Sequence, residues 1–176
     1  MATHELGPAN GTLKVNTYRE GVAQKIGHDL VIEVERWSAT LGVGPDGAIT
    51  AIVLNADSST LQVREGHNGL KALTYKDRTE IRKGIDEKVL RGRPITFTST
   101  AVAPRVGGLA VDGELTLVDT TRPASFDVDV SGDGHVAGTL QVTQSEWGIK
   151  PYKAFLGALK VSDVVEIVLD VRLPAP

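Results

Sequence analysis

The chain has 176 residues, 41% of them hydrophobic and 23% charged, and a formal net charge of −3. These values are typical of one globular domain and exclude a disordered chain, and the interspersed charges form no basic stripe that could neutralise a nucleic acid. Because the chain has no cysteine, disulfides, thiolate nucleophiles and cysteine-bound metals are also excluded.

Residues 1–10 ("MATHELGPAN") are expected to be a flexible N-terminus, and residues 11–174 to form the single domain. This start lacks the charged segment and apolar run of a secretory signal. No apolar stretch approaches the roughly 18 residues that span a bilayer. A cytoplasmic location without stable membrane insertion is therefore the default expectation.

From Gly11 onward hydrophobic residues recur at every second position, which predicts β-strands. The second candidate strand changes face, which indicates a bulge near Glu35 or Arg36. The turns between strands are short and Gly-rich or polar, so neighbouring strands are expected to be antiparallel. About eight half-apolar strands must pack as two sheets or close into a barrel, and the predicted fold class is all-β. The candidate strands are 12–19, 30–43, 49–63, 94–103, 109–117, 124–130, 136–142 and 165–173.

Two helices are predicted. The first covers about 78–91, with Asp77 as N-cap, Glu80 completing a capping box, and Ile81, Ile85 and Val89 forming one apolar stripe. The second is short, covers about 151–159, and begins at Pro151, a residue tolerated in a first helical turn. It would bury three apolar side chains, which are Phe155, Leu156 and Leu159.

Few side chains suggest catalysis. The four histidines lack metal-ligand spacing, and Glu33 and Glu35 are expected to form a solvent-facing row rather than an acid/base pair. His28 is different because Asp29 follows it and Lys25 precedes it. It is either part of a polar cluster at a barrel end or a turn histidine that satisfies local backbone groups.

The interior of the predicted barrel is the other candidate site. An eight-stranded barrel is either filled by its own side chains or holds one small ligand. The inward rows include the small residues Gly113, Ala124 and Gly138, and the whole chain has only three Phe and two Trp. An open apolar lumen and a solid aliphatic core are therefore both compatible with the sequence.

Four segments resemble the YceI-like family of polyisoprenoid-binding, lipocalin-like proteins. Their most specific pieces are I-x-F-x-S (Ile95 to Ser99), G-x-L-T-L (Gly113 to Leu117) followed by T-R-P, and W-G-I-K-P-Y (Trp147 to Tyr152). The order of these pieces carries the resemblance. The segments are 27–41, 77–100, 111–123 and 144–173.

The resemblance implies an eight-stranded antiparallel lipocalin-like barrel whose cavity binds an isoprenoid, quinone or fatty chain without catalysis or a resident cofactor. It also implies a possible homodimer, and many family members are periplasmic, which contrasts with the missing signal segment here. The candidate lining residues are Phe97, Leu115, Leu117, Phe126 and Val128, and the residues expected to close the cavity are Trp147, Ile149, Tyr152, Phe155 and Leu156. Lys150, Lys153 and His28 are candidates for contact with a polar head group.

Two other functions remain open at this point. One is an enzyme that acts on an apolar substrate inside the barrel, with His28 and Asp29 as acid and base. The other is a solid barrel whose outer face binds a partner protein or a second copy of the chain. No metal site is predicted for any of the three functions.

Overall fold

The structure is a computed structural model that describes residues 2–174. Its strands form an eleven-stranded main sheet and a separate three-stranded sheet, and every strand pair is antiparallel. The strands are β1 (Ala2–Leu6), β2 (Gly11–Thr17), β3 (Arg19–Glu20), β4 (Asp29–Val34), β5 (Trp37–Val43), β6 (Ile49–Ala56), β7 (Leu61–His67), β8 (Ile95–Arg105), β9 (Gly108–Leu117), β10 (Thr120–Val130), β11 (His135–Thr143), β12 (Lys153–Ala154), β13 (Leu159–Val161) and β14 (Val164–Arg172).

The main sheet curls around one hydrophobic core, and its strand order is β1-β5-β6-β8-β9-β10-β11-β14-β2-β4-β7. The predicted all-β barrel class is confirmed, but the predicted count of eight strands is wrong. Three long segments are each broken into two strands, at residues 7–10, 35–36 and 57–60. Each break lets one face of the segment stay on the core as the sheet bends.

Residues 35–36 show how such a break is held. Instead of the predicted bulge, the strand is interrupted there, and Thr60 accepts hydrogen bonds from both amides. The Glu35 N–H donates to the Thr60 carbonyl at 3.0 Å and the Arg36 N–H to Thr60 Oγ1 at 3.1 Å. The register shifts of this hairpin lie instead between Val31 and Ile32 and at Gly42.

The N-terminus also differs from the prediction. Residues 2–6 form β1 and pair with β5, so the described part of segment 1–10 is not a loose tail. Leu6 is buried in the core, which explains why this strand is held.

The connections divide the barrel into two different ends. The turns at residues 44–48, 106–107 and 131–134 are short, and we call this side the short-turn end. The connections at residues 18–28, 68–94, 118–119 and 144–163 meet at the opposite side, the loop-rich end. This follows from the antiparallel order, because successive connections alternate between the ends.

The main helix, α1, spans Tyr75–Gly84 and continues as one π-helical segment, Ile85–Val89. Its N-cap is Thr74, not the predicted Asp77. Asp77 is the third helical residue: its N–H donates to Thr74 Oγ1 at 3.1 Å, and its carboxylate accepts from the Thr74 N–H at 2.8 Å. The capping box is therefore present three residues earlier than the sequence pattern indicated.

Helix α1 covers the exposed edge of the main sheet. Strand β7 ends the sheet order, so its outer carbonyls need partners other than a strand. Arg78 donates to the carbonyls of Val63 and Arg64 at 3.2 and 2.7 Å, and Arg82 donates to the Ser59 carbonyl at 3.1 Å.

Within residues 2–174, no helix is long and apolar enough to cross a membrane.

The predicted second helix is wrong. Residues 153–161 form a hairpin of β12 and β13, and a short 3-10 segment, Phe155–Gly157, makes its tip. Phe155 and Leu156 have φ of 51° and 55°, which no right-handed helix allows. Trp147 and Ile149, which precede this segment, are buried, whereas Phe155 and Leu156 are exposed, so the apolar side chains that the predicted helix would bury are not packed on the core.

Gly113 permits a close contact between β9 and an aromatic ring. Phe97 lies directly over it, and a Cβ at this position would collide with the ring and approach the Thr98 carbonyl to 2.5 Å. Gly113→Ala is expected to lower the free energy of unfolding by about 1–3 kcal/mol, because the ring must leave its place. Urea denaturation measures this. Gly132→Ala, where a Cβ would meet nothing within 4 Å, is the matched control and should change stability little.

A charged clamp holds the turn between β10 and β11. The Asp133 carboxylate accepts hydrogen bonds from Ser131 Oγ at 2.5 Å and Arg172 Nη1 at 2.8 Å, and from the His135 N–H. The hydrogen bond from the Ser131 hydroxyl has the largest effect on the pKa of Asp133. Together with the hydrogen bonds from Arg172 and the His135 amide, it holds that pKa well below its ordinary value. This clamp joins the turn to β14.

The clamp predicts a pH dependence of stability. Since the folded pKa of Asp133 lies below the unfolded value near 3.9, the carboxylate stabilises the fold above that value and loses this effect as the pH falls toward the folded pKa. The thermal midpoint of Asp133→Asn should therefore lie below that of the wild type at about pH 7, with the gap narrowing at about pH 2.5. A gap of equal size at both pH values would contradict the clamp.

Candidate functional site

The barrel encloses a cavity of about 120 Å³. All its lining residues are hydrophobic or glycine, so no side chain offers a charge or a hydrogen bond to its contents. The lining residues are Leu6, Leu13, Val15, Val34, Trp37, Ala39, Leu41, Ile49, Ile52, Leu54, Ala56, Ile95, Phe97, Leu109, Leu115, Phe126, Val128, Val136, Gly138, Leu140, Ile167, Leu169, Val171 and Leu173. The interior is thus neither solid nor a wide channel.

Four of the predicted lining residues border the cavity: Phe97, Leu115, Phe126 and Val128. Phe97 and Phe126 meet edge to face, with ring centroids 5.3 Å apart and planes at 61°, a favourable arrangement for two aromatic rings. Gly138 leaves room beside Val128, because a Cβ there would lie 2.6 Å from the Val128 Cγ1 atom. Leu117 is buried in the core but does not line the cavity.

Trp147 closes the loop-rich end of the barrel. It ends a 3-10 segment, Gln144–Trp147, and only 4% of its surface is exposed. Its indole N–H donates to the Leu115 carbonyl at 2.9 Å, so its one polar group is satisfied. Ile149 is buried beside it. Both residues belong to the buried core near the loops, and neither lines the cavity.

Trp37 is the aromatic lining residue that the sequence reasoning missed. It begins β5, is 6% exposed and borders the cavity. Trp37 and Ala56 also border a polar surface recess of about 460 Å³ that includes Arg36 and Asp57. The alternation of Trp37, Ala39 and Leu41 after the break at residues 35–36 was the signal for its inward position.

The other predicted closing residues face away from the cavity. Tyr152 is 55% exposed, Phe155 is 66% exposed and Leu156 is fully exposed. Lys150 and Lys153 are exposed as well. All five lie on the loop-rich end, outside Trp147, so none contacts the cavity.

His28 is half-buried among the loops and does not line the cavity. Its ring lies against Gly69, and Nε2 is 2.5 Å from the Lys71 carbonyl, which assigns the proton to that nitrogen. This arrangement matches a histidine that satisfies local backbone groups.

Asp29 is engaged in a different network. Its carboxylate accepts from the Arg19 N–H at 2.9 Å and from the Asn68 amide at 2.7 Å. Burial alone would raise the pKa of Asp29, but these hydrogen bonds and the charges of Arg19 and His67 lower it. The structure therefore does not bring His28 and Asp29 together as an acid/base pair.

Glu33 and Glu35 are joined by one arginine. Arg64 Nε donates to Glu33 at 2.8 Å and its Nη2 to Glu35 at 3.0 Å. The hydrogen bond to Glu33, with the charges of both carboxylates, raises the pKa of Arg64. This partly exposed cluster is the expected solvent-facing row of carboxylates.

Among residues 2–174, no group of three or more His, Asp or Glu side chains could hold a metal ion.

The comparisons with known proteins agree with this architecture. Residues 88–173 match the YceI-like domain. In structure, the chain is similar to BcnA of Burkholderia cenocepacia (16% identity, TM-score 0.66, covering 93% of this chain and 96% of that one). It is also similar to the YceI protein of Campylobacter jejuni (11% identity, TM-score 0.58, covering 82% and 85%).

No curated protein matches the chain. At these identities the two structures establish the fold alone. The matched segment contains the I-x-F-x-S, G-x-L-T-L and W-G-I-K-P-Y pieces on which the resemblance was based. The resemblance is therefore confirmed over this segment: residues 88–173 match the YceI-like domain.

Proposed function

We propose that this protein binds a slender hydrophobic chain, such as a polyisoprenoid, a quinone tail or a fatty acyl chain, inside its barrel without chemical conversion. The cavity supports this most directly, because its lining is entirely apolar. A lining without any polar side chain selects against polar ligands, since their hydrogen-bonding groups would be buried without partners.

The energetics favour an extended apolar ligand. Each buried methylene contributes about 0.8 kcal/mol before the entropy of binding is subtracted, so a five-carbon prenyl unit contributes about 4 kcal/mol. The cavity of about 120 Å³ compares with the engineered cavity of about 150 Å³ that binds benzene in another protein. A longer chain therefore needs aliphatic side chains such as Leu13 and Ile167 to change rotamer.

The composition of the cavity lining supports a carrier role rather than catalysis. No titratable or nucleophilic side chain reaches it, and His28 and Asp29 are used by loop contacts. The match of residues 88–173 to the YceI-like domain adds support, because the resemblance to that family implies binding of a polyisoprenoid chain.

Native mass spectrometry of the protein purified from its own host tests the proposal, together with solvent extraction of the same sample. We expect a mass above that of the chain, and a lipid of the same added mass in the extract. The spectrum also reports whether the protein is a dimer. An unliganded mass, with no uptake of added farnesol or palmitate, would overturn the proposal.

A further inference from the structure

Three loops at the loop-rich end form one continuous surface, which we call the loop face and which comprises segments 18–28, 66–76 and 150–162. The Ala23 N–H donates to the Ala158 carbonyl at 2.8 Å, and the Leu70 N–H donates to the Lys25 carbonyl at 3.1 Å. Strands β13 and β3 also pair across it. The three segments are therefore held together by main-chain hydrogen bonds.

The loop face concentrates exposed apolar side chains. Eight of the eleven large hydrophobic residues exposed within residues 2–174 lie on it. Among them, Val22 is 95% exposed, Tyr75 is 87% exposed and Leu156 is fully exposed. Single exposed hydrophobic residues need no explanation, but a cluster on one surface marks a site of interaction.

The loop face is also basic. Its segments contain seven lysine or arginine residues and one acidic residue, Glu20, and four more acidic residues, Asp29, Glu65, Asp77 and Asp163, directly flank them. Seven basic and five acidic residues leave an excess of two positive charges on this face, in a chain whose net charge is −3. Three of the lysines, Lys150, Lys153 and Lys160, flank the hairpin tip and form no salt bridge with any residue of the described chain. Apolar tips surrounded by lysines are typical of proteins that bind anionic lipid surfaces.

The hairpin tip holds its apolar side chains outward at a conformational cost. Phe155 and Leu156 both adopt the left-handed backbone region, which bulky residues rarely occupy, and both project into solvent. Strained, exposed positions of this kind are found where a segment has a function other than packing.

We propose that the loop face docks peripherally on the surface of an anionic lipid bilayer, with Phe155 and Leu156 inserted among the head groups. The charge decides between this partner and a second copy of the chain. Two loop faces would repel one another, whereas an anionic bilayer attracts this face and repels the rest of the acidic molecule. The proposal does not depend on what the cavity binds.

Vesicle co-sedimentation tests the proposal. The wild type should bind vesicles of equimolar phosphatidylcholine and phosphatidylglycerol, bind pure phosphatidylcholine weakly, and be released by salt. Phe155→Asn with Leu156→Asn should reduce binding about tenfold or more. Asparagine tolerates the left-handed backbone, so the fold should persist. Val106→Asn, a substitution of a residue that is 96% exposed at the short-turn end, is the matched control and should bind like the wild type.

A charge reversal gives a second test. Lys150→Glu with Lys153→Glu should abolish the preference for anionic vesicles, whereas Lys83→Glu with Lys88→Glu, on the helical segment, should reduce it far less. Equal binding of the wild type to both vesicle types, or unchanged binding of the asparagine pair, would overturn the proposal. A wild-type dimer that the asparagine pair converts to monomer, without vesicle binding, would also overturn it.

Discussion

Replacing Trp147 with alanine is expected to lower the free energy of unfolding by about 3–5 kcal/mol, the largest effect we predict for any single side chain. Trp147 is 4% exposed and fills the loop-rich end of the core, and the large apolar side chains of the loop face project into solvent rather than into this position. Its removal leaves a cavity and also takes away the donor to the Leu115 carbonyl.

Chemical denaturation of Trp147→Ala and Trp147→Phe separates these two contributions. The phenylalanine variant keeps most of the ring and loses the N–H, so it should cost clearly less than the alanine variant. Tyr152→Ala, which removes a half-exposed ring from the same segment, is the control and should change stability by less than about 1 kcal/mol. A similar small loss for Trp147→Ala would show that Trp147 does not close the barrel.

Filling the cavity should abolish ligand uptake. Ala39 lies on β5, is 4% exposed and borders the cavity, so the ring introduced by Ala39→Phe would occupy the space left for a ligand. We expect the affinity for an apolar chain to fall by more than about tenfold. The stability loss should stay within the roughly 1–3 kcal/mol typical of overpacking, because the cavity receives part of the ring.

The matched control is Ala103→Phe, the same change at an exposed position of β8. It should leave both affinity and stability close to those of the wild type. Displacement of a fluorescent fatty acid by farnesol measures the affinity of all three proteins. Unchanged displacement by Ala39→Phe, in a folded protein, would mean that the ligand binds elsewhere.

Much of the barrel could be predicted from the alternation of hydrophobic residues. The rows at 109–117, 124–130, 136–142 and 165–173 became β9, β10, β11 and β14, because half-buried strands leave a period of two in the sequence. The breaks in the first three segments could not be counted in the same way. They depend on where the sheet must bend, and on contacts such as those of Thr60 that join residues distant in sequence.

The errors at residues 151–159 have the same origin. Pro151 and the spacing of Phe155, Leu156 and Leu159 are compatible with a short helix, and local sequence cannot tell that Trp147 is the residue of this region that packs on the core while Phe155 and Leu156 stay exposed. The candidate site, too, could be predicted only in part. Periodicity identified inward residues such as Phe97 and Phe126, whereas the part of the barrel left empty depends on how side chains from opposite walls meet.

The two tryptophans offer the most direct test of the central claim, that an apolar chain binds inside the barrel. Trp37 borders the cavity and Trp147 does not, so each can report alone in a variant that carries phenylalanine at the other position. On titration with a prenyl alcohol such as farnesol, the fluorescence of Trp37 in Trp147→Phe should change saturably, and that of Trp147 in Trp37→Phe should change little. No change at Trp37, or equal changes at both tryptophans, would contradict binding in this cavity.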